Sequence, residues 1–208
     1  MAMREIGVGL LGFGTVGGGV VEGLHRNAEL LTERLGVRLT LRKIADIDLE
    51  RDRGVKVDPA ILTRDAESVI RDPDVDIIVE LIGGTGVAKE LVMQALNIRK
   101  PVVTANKALL AEHGEEIFGL AEKKNVDIYF GASVGGGMPI VRALREGLVA
   151  NRITSITGIL NGTCNYILTR MEQDGLPFEA ALAEAQKQGM PRRIPLSTLT
   201  GSTRRIRR

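Results

Sequence analysis

The stretch from Ile6 to Leu24, IGVGLLGFGTVGGGVVEGL, restricts what this chain can fold into more than any other. An apolar, β-prone run from Ile6 to Leu11 passes into Gly12-Phe13-Gly14-Thr15-Val16-Gly17, and the pattern then becomes helical. A strand, a tight glycine turn and a helix in that order open a βαβ unit. Each glycine has a steric task there. Gly12 permits the sharp reversal, Gly14 lacks the Cβ that would hold a pyrophosphate off the backbone, and Gly17 lets helix and strand approach closely. Amides at the helix start then face an anion. Residues Gly12, Phe13, Gly14, Thr15, Val16 and Gly17 are the candidate dinucleotide-binding loop, with a purely structural turn as the plainer alternative.

The rest of the chain alternates in the same manner. A helix is predicted over Val20 to Leu35 and a strand over Val37 to Ala45, ending at Asp46. An acid at that strand end suits the ribose hydroxyls of NAD, whereas Arg51, Arg53 and Lys56 nearby suit a 2′-phosphate, so both cofactor forms stay open. After a polar connection (47–64) come a short helix (Ala66 to Arg71) and a buried strand, Val75 to Ile82, ending in Gly83-Gly84. That pair lies where a cofactor passes, or is simply a loop. Helices over Ala88 to Asn97 and Leu109 to Lys124 alternate with strands over Pro101 to Thr104 and Asp127 to Phe130. The expected fold class is α/β, a Rossmann-type doubly wound parallel sheet.

A helix from Pro139 to Val149 and a strand from Ile153 to Leu160 begin a second region, with helices reaching Gln173 and, after Asp174-Gly175, Gln188. The expected division is a dinucleotide-binding domain over 1–138, the start of an incomplete α+β domain over 139–189, and a basic tail over 190–208.

Composition narrows the function classes. Aromatic residues are 3% of the chain and Trp is absent, which removes the stacking platforms used on single-stranded nucleic acid. His25 and His113 stand apart without metal-ligand spacing. The single Cys164 fits a reducing compartment, and neither a signal peptide nor a membrane-length apolar run is visible, so a cytoplasmic protein is expected. The net charge of +2 is uneven: the stretch from Met190 holds six arginines and no acid, while 22 basic and 26 acidic side chains precede it. A mildly acidic body argues against nucleic acid as its partner.

Lys107, just past a strand end beside the cofactor position, is the chemical candidate, suited to orienting a carbonyl or passing a proton during hydride transfer. Four motifs in order, GFGTVG, VTANKALL (Val103 to Leu110), ASVGGGMPI (Ala132 to Ile140) and GILNGTCNYIL (Gly158 to Leu168), closely resemble the homoserine dehydrogenase family from about Ile6 to Gly189. The resemblance implies a Rossmann domain followed by a catalytic and dimerisation domain. It also implies NAD(P)H-dependent interconversion of aspartate 4-semialdehyde and homoserine, on the way to threonine and methionine, in a homodimer. By position, Lys107 matches the family's lysine beside nicotinamide and substrate, and Asn161, Gly162 and Thr163 its substrate-side loop. Val134, Gly136 and Met138 match backbone positions that bind a monovalent cation, usually sodium, although Gly131 stands where the family commonly has a glutamate. Cys164 reads as a packing residue, with an acylating thiol in an aldehyde dehydrogenase as a competing reading. A non-catalytic dinucleotide-binding module is the other alternative.

After Gly189 the family continues in a pattern like GYAEADPTLDVDGIDTAHK, which supplies acidic substrate contacts and a second lysine. Written in codons with one base removed at Gly189, that pattern translates as GMPRRIPLSTLTGSTRRIR, the sequence of Gly189 to Arg207. The expectation is that Met190 to Arg208 is out-of-frame translation. This truncated chain would then bind cofactor, turn over homoserine poorly and expose apolar surface of its second domain.

Overall fold

The computed structural model describes residues 3–156, 158 and 162–188. The chain divides into two compact units, the first ending at Val149 and the second beginning at Ala150.

The first unit is a six-stranded parallel sheet in the order β3-β2-β1-β4-β5-β6. Its strands are β1 (Glu5–Leu11), β2 (Arg38–Ala45), β3 (Leu62–Thr63), β4 (Ile77–Glu80), β5 (Val102–Thr104) and β6 (Ile128–Tyr129). The helices are α1 (Thr15–Arg26), α2 (Ala28–Leu35), α3 (Ala66–Arg71), α4 (Val87–Asn97), α5 (Lys107–Lys124) and the single turn α6 (Ile140–Arg142). This is the doubly wound arrangement expected from the alternation of strand and helix.

Successive strand residues supply opposite faces. Leu11, Ala45 and Ile78 join the core built on α3, α4 and α5, with Leu91, Val92, Leu96, Leu109 and Ile117. Their neighbours Leu10, Ile44 and Val79 join the core under α1 and the segment after β2, with Phe13 and Val21. A strand covered on both faces has no solvent side, which is why β1 and β4 read as continuous apolar runs. Because the order reverses between β1 and β4, their C-terminal ends open the crevice in which such sheets bind ligands.

In the first unit three expectations are corrected. The helix predicted over Val20 to Leu35 is two helices, because both the backbone and the side-chain nitrogen of Asn27 donate to Gly23 O, each at 3.1 Å, and end α1 there. The connection 47–64 contains β3, too short for any period to show. From Pro139 to Val149 the helix is not α-helical throughout: Ala143–Gly147 widens into a π turn closed by Leu148 N–H on Ala143 O at 2.9 Å.

In the second unit, α7 (Gly162–Asp174) and α8 (Phe178–Lys187) pack through the fully buried Ile167, Ala181 and Ala185. Arg170 ties them, donating to Glu184 at 2.9 and 3.0 Å and to Asp174 at 2.5 Å. The expected strand from Ile153 is not formed over Ile153 to Ile156. A strand exists only through a ladder partner, and among the described residues the second unit contains helices and irregular backbone. Residues 157, 159, 160 and the whole of 190–208 lie outside the described residues.

Candidate functional site

The glycine loop has the steric division of labour that its sequence suggests. Gly12 has φ +97°, and a Cβ there would lie 2.6 Å from the Leu81 carbonyl carbon, so the turn after β1 abuts the turn after β4. A Cβ on Gly17 would stand 2.2 Å from Gly12 O, which sets how closely α1 approaches the strand. At Gly14 a Cβ would meet nothing within 4 Å, so that glycine fills no packing role and leaves an open face. Gly14 precedes α1 without a side-chain cap, and the first helical bond runs from Gly18 N–H to Gly14 O at 2.8 Å. The amides of Thr15, Val16 and Gly17 therefore lie ahead of the helix's own hydrogen bonding and present positive ends to that face.

Asp46 is brought to the same loop. One of its oxygens accepts from Phe13 N–H at 2.5 Å and the other from Asp48 N–H at 2.8 Å. Arg53 closes over both: its Nε donates to Phe13 O at 2.6 Å, its guanidinium lies 5.0 Å from the Phe13 ring centroid, and a terminal nitrogen is 3.5 Å from Asp46. The same side chain also donates to the carbonyls of Arg51 and Asp48, and it is only 6% exposed. The acid and the cation that point to different cofactor forms thus form one pair at the end of β2.

Across the crevice, a polar network joins the ends of β4 and β5. Glu80, completely buried, accepts from the N–H groups of Ile82 and Gly83 at 2.9 and 3.3 Å and from the Thr104 hydroxyl at 2.6 Å. Thr104 Oγ1 in turn accepts from Asn106 N–H at 2.9 Å. The Asn106 side chain caps α5 by accepting from Leu109 N–H at 3.1 Å and donates to Gly84 O at 2.7 Å. Ser133 donates to Thr104 O at 3.0 Å and draws in the segment after β6. Gly83 and Gly84, with φ +80° and +71°, carry the chain through this turn. Lys107 is the first residue of α5, exposed, and makes no ion pair among the described residues. The geometry thus joins Lys107 to the Gly83-Gly84 turn through Asn106, a link no spacing rule gives. Glu80, Thr104, Asn106 and Ser133 do not stand out as site residues from motif alone. An acid at the C-terminal end of the apolar run Ile77 to Val79 is the signal that the sequence offers.

Val134, Gly136 and Met138 lie on an exposed turn in which Gly135 and Gly136 have φ +74° and +60°. The Met138 carbonyl already accepts from Ile140 N–H at 2.8 Å. Among the described residues no group of three His, Cys, Asp or Glu side chains could hold a metal ion. A groove of about 920 Å³ beyond β6, lined by residues including Phe118, Tyr129, Phe130, Met138 and Arg142, does not include the glycine loop. Gly162 and Thr163 open α7 in the second unit, Asn161 lies outside the described residues, and Cys164 is buried. No described helix is long and apolar enough to cross a membrane.

Two family models match the chain: "Homoserine dehydrogenase, NAD binding domain" over residues 12–131 and "Homoserine dehydrogenase" over residues 139–202. The homoserine dehydrogenase of Neisseria gonorrhoeae is 48% identical over 200 residues, which are 96% of this chain and 46% of that protein. A crystal structure of a homoserine dehydrogenase from Thiobacillus denitrificans is similar with a TM-score of 0.82 and 49% identity, covering 90% of this chain and 43% of that one. A hyperthermophilic archaeal homoserine dehydrogenase solved in complex with NADPH matches with a TM-score of 0.75 and 26% identity, over 95% of this chain and 66% of that one. The chain spans about half the length of the curated relatives it matches.

Proposed function

The chain belongs to the homoserine dehydrogenase family, and from that premise we propose that it serves the reversible, NAD(P)-dependent interconversion of L-aspartate 4-semialdehyde and L-homoserine. The observation that carries this reading is the hydrogen bond from Asn106 to Gly84 O, which ties the helix start bearing Lys107 to the turn after β4. The residues present suit a dinucleotide. The open face at Gly14 and the leading amides of α1 would receive the pyrophosphate, and the Asp46–Arg53 pair would lie by the adenosine ribose. A nicotinamide dinucleotide held there supplies the hydride exchanged with the substrate's C4. Lys107 then holds the C4 oxygen and delivers its proton when the aldehyde becomes an alcohol. By the family resemblance, Asn161, Gly162 and Thr163 are the substrate-side residues of this reading.

Several further points belong to the same proposal: a cytoplasmic setting, a homodimer, and a monovalent cation on the carbonyls of Val134, Gly136 and Met138. Gly135 and Gly136 hold this segment in a left-handed turn, and backbone carbonyls are hard oxygen ligands that suit such an ion. Out-of-frame translation of Met190 to Arg208 is supported by its six arginines and absence of acids, whereas the second family match, running to residue 202, weighs against it. Nucleotide sequence across the Gly189 codon decides between them.

The test is homoserine-dependent reduction of NAD and NADP by the protein that carries this chain. Lys107→Ala is expected to lower kcat about 100-fold or more with cofactor affinity unchanged. Retained turnover in Lys107→Ala together with lost turnover in Cys164→Ala overturns the proposal in favour of an acylating thiol.

A further inference from the structure

Glu80 is completely buried, accepts three hydrogen bonds and has no cationic partner among the described residues. Three donors reach it: two main-chain N–H groups and a hydroxyl whose own oxygen also accepts from Asn106 N–H. A carboxylate, which only accepts, satisfies every one of these bonds. A buried negative charge without a counter-charge is costly, and an amide in its place would still accept from the two main-chain N–H groups. The position of this charge gives it a use. It lies at the C-terminal end of β4, where it holds the amides of the Ile82–Gly84 turn and, through Thr104 and Asn106, reaches the helix start that bears Lys107.

We propose that Glu80 is a positioning residue of the cofactor site whose buried charge favours the oxidised over the reduced dinucleotide. The inference rests on the reading of the crevice as a dinucleotide site. Through its own bonds and through Thr104 and Asn106, Glu80 fixes the Ile82–Gly84 turn and the first turn of α5 as one unit, the frame that receives the nicotinamide half. The oxidised nicotinamide ring carries a positive charge and the reduced ring carries none. A fixed anion behind the turn therefore stabilises one form and not the other, and a ligand pair is discriminated only by such differential interaction. Lys107 acts in the opposite sense, but its ammonium is exposed and screened by water, while Glu80 is wholly enclosed and screened much less. The buried charge is therefore the larger influence on the ring.

Equilibrium dissociation constants for NAD⁺ and NADH, measured on the purified chain and its variants by calorimetry, test this directly. Glu80→Gln keeps the size of the side chain, and its amide oxygen still accepts from Ile82 and Gly83. In that variant the ratio Kd(NAD⁺)/Kd(NADH) is expected to rise at least about fivefold, since at an effective dielectric of about 20 a unit charge contributes that much anywhere within about 15 Å. Thr104→Val cuts the relay to Asn106 and keeps the charge, so it is expected to weaken both forms by the same factor and leave the ratio unchanged. An unchanged ratio in a folded Glu80→Gln overturns the inference. If both Glu80→Gln and Glu80→Ala lose the fold by circular dichroism, the residue is purely structural and the inference is likewise overturned. A folded wild-type chain that binds neither form overturns the dinucleotide reading itself, and this inference with it.

Discussion

Replacing Gly17 and Gly14 by alanine, one at a time, separates the two tasks of the glycine loop. A methyl on Gly17 starts 2.2 Å from Gly12 O, and ordinary contact begins at 3.4 Å, so α1 or the turn must give by about 1.2 Å. Overpacking of this kind costs about 1–3 kcal/mol, against the roughly 1 kcal/mol by which alanine is favoured over glycine inside a helix. Because the atom the methyl meets is backbone, the upper half of that cost applies, and the expected net loss is about 1–2 kcal/mol, which at roughly 2–4 °C per kcal/mol for a domain of this size lowers Tm by about 2–8 °C. The methyl of Gly14→Ala meets no atom within 4 Å, and at a helix cap it is expected to cost no more than about 0.5 kcal/mol. That methyl stands on the face a pyrophosphate must approach, so cofactor affinity should fall at least about tenfold, the loss of one charge-assisted hydrogen bond. Thermal melts followed by circular dichroism and NADPH titrations followed by fluorescence read the two effects separately. The reasoning fails if Gly17→Ala melts with the wild type, or if Gly14→Ala loses as much stability as Gly17→Ala while binding normally.

Asp72 is held below its ordinary pKa of 3.8, chiefly by the hydrogen bond from Lys43, whose Nζ lies 2.7 Å away, and by Asp74 N–H. A folded-state value below the unfolded one adds stability that is full above the unfolded pKa and is lost as pH falls through the folded one. Urea unfolding should therefore find Asp72→Asn less stable than wild type at pH 7 and the gap closing from about pH 5 downward; a gap independent of pH contradicts this assignment. In the second unit, Ile167→Ala is expected to cost roughly 2–5 kcal/mol and to open 162–188 to limited proteolysis. Arg170→Ala, which removes only partly exposed ion pairs, is expected to cost about 1 kcal/mol or less, so equal proteolysis of the two variants counts against the packing account.

Much of the first unit was legible in the sequence because its signals are local. The run Ile6 to Leu11 is apolar at every non-glycine position, since Leu10 and Leu11 serve opposite cores, and such a run followed by Gly12 leaves few other folds. Asp46 and Lys107 were legible as strand-end residues for the same reason. What the sequence hid is whatever depends on contacts far along the chain. Arg53 looked like a possible phosphate ligand, but its closure over Phe13 spans 40 residues. The bond between Thr104 and Glu80 spans 24, and no periodicity reports it. The failed strand at Ile153 shows the converse: an apolar, β-branched run satisfies local propensity, yet a strand needs a partner that propensity does not supply. The break at Asn27 was hidden because an apolar pattern continues through it, while one amide side chain redirected to Gly23 O decides the helix end.

The most direct test of the account is equilibrium binding of NADPH and NADH to the purified chain, followed by nicotinamide fluorescence with circular dichroism on the same samples. The account predicts saturable binding of one dinucleotide per chain, weakened in Gly14→Ala without loss of helical signal. A folded chain that leaves the fluorescence of both dinucleotides unchanged at every concentration would contradict it.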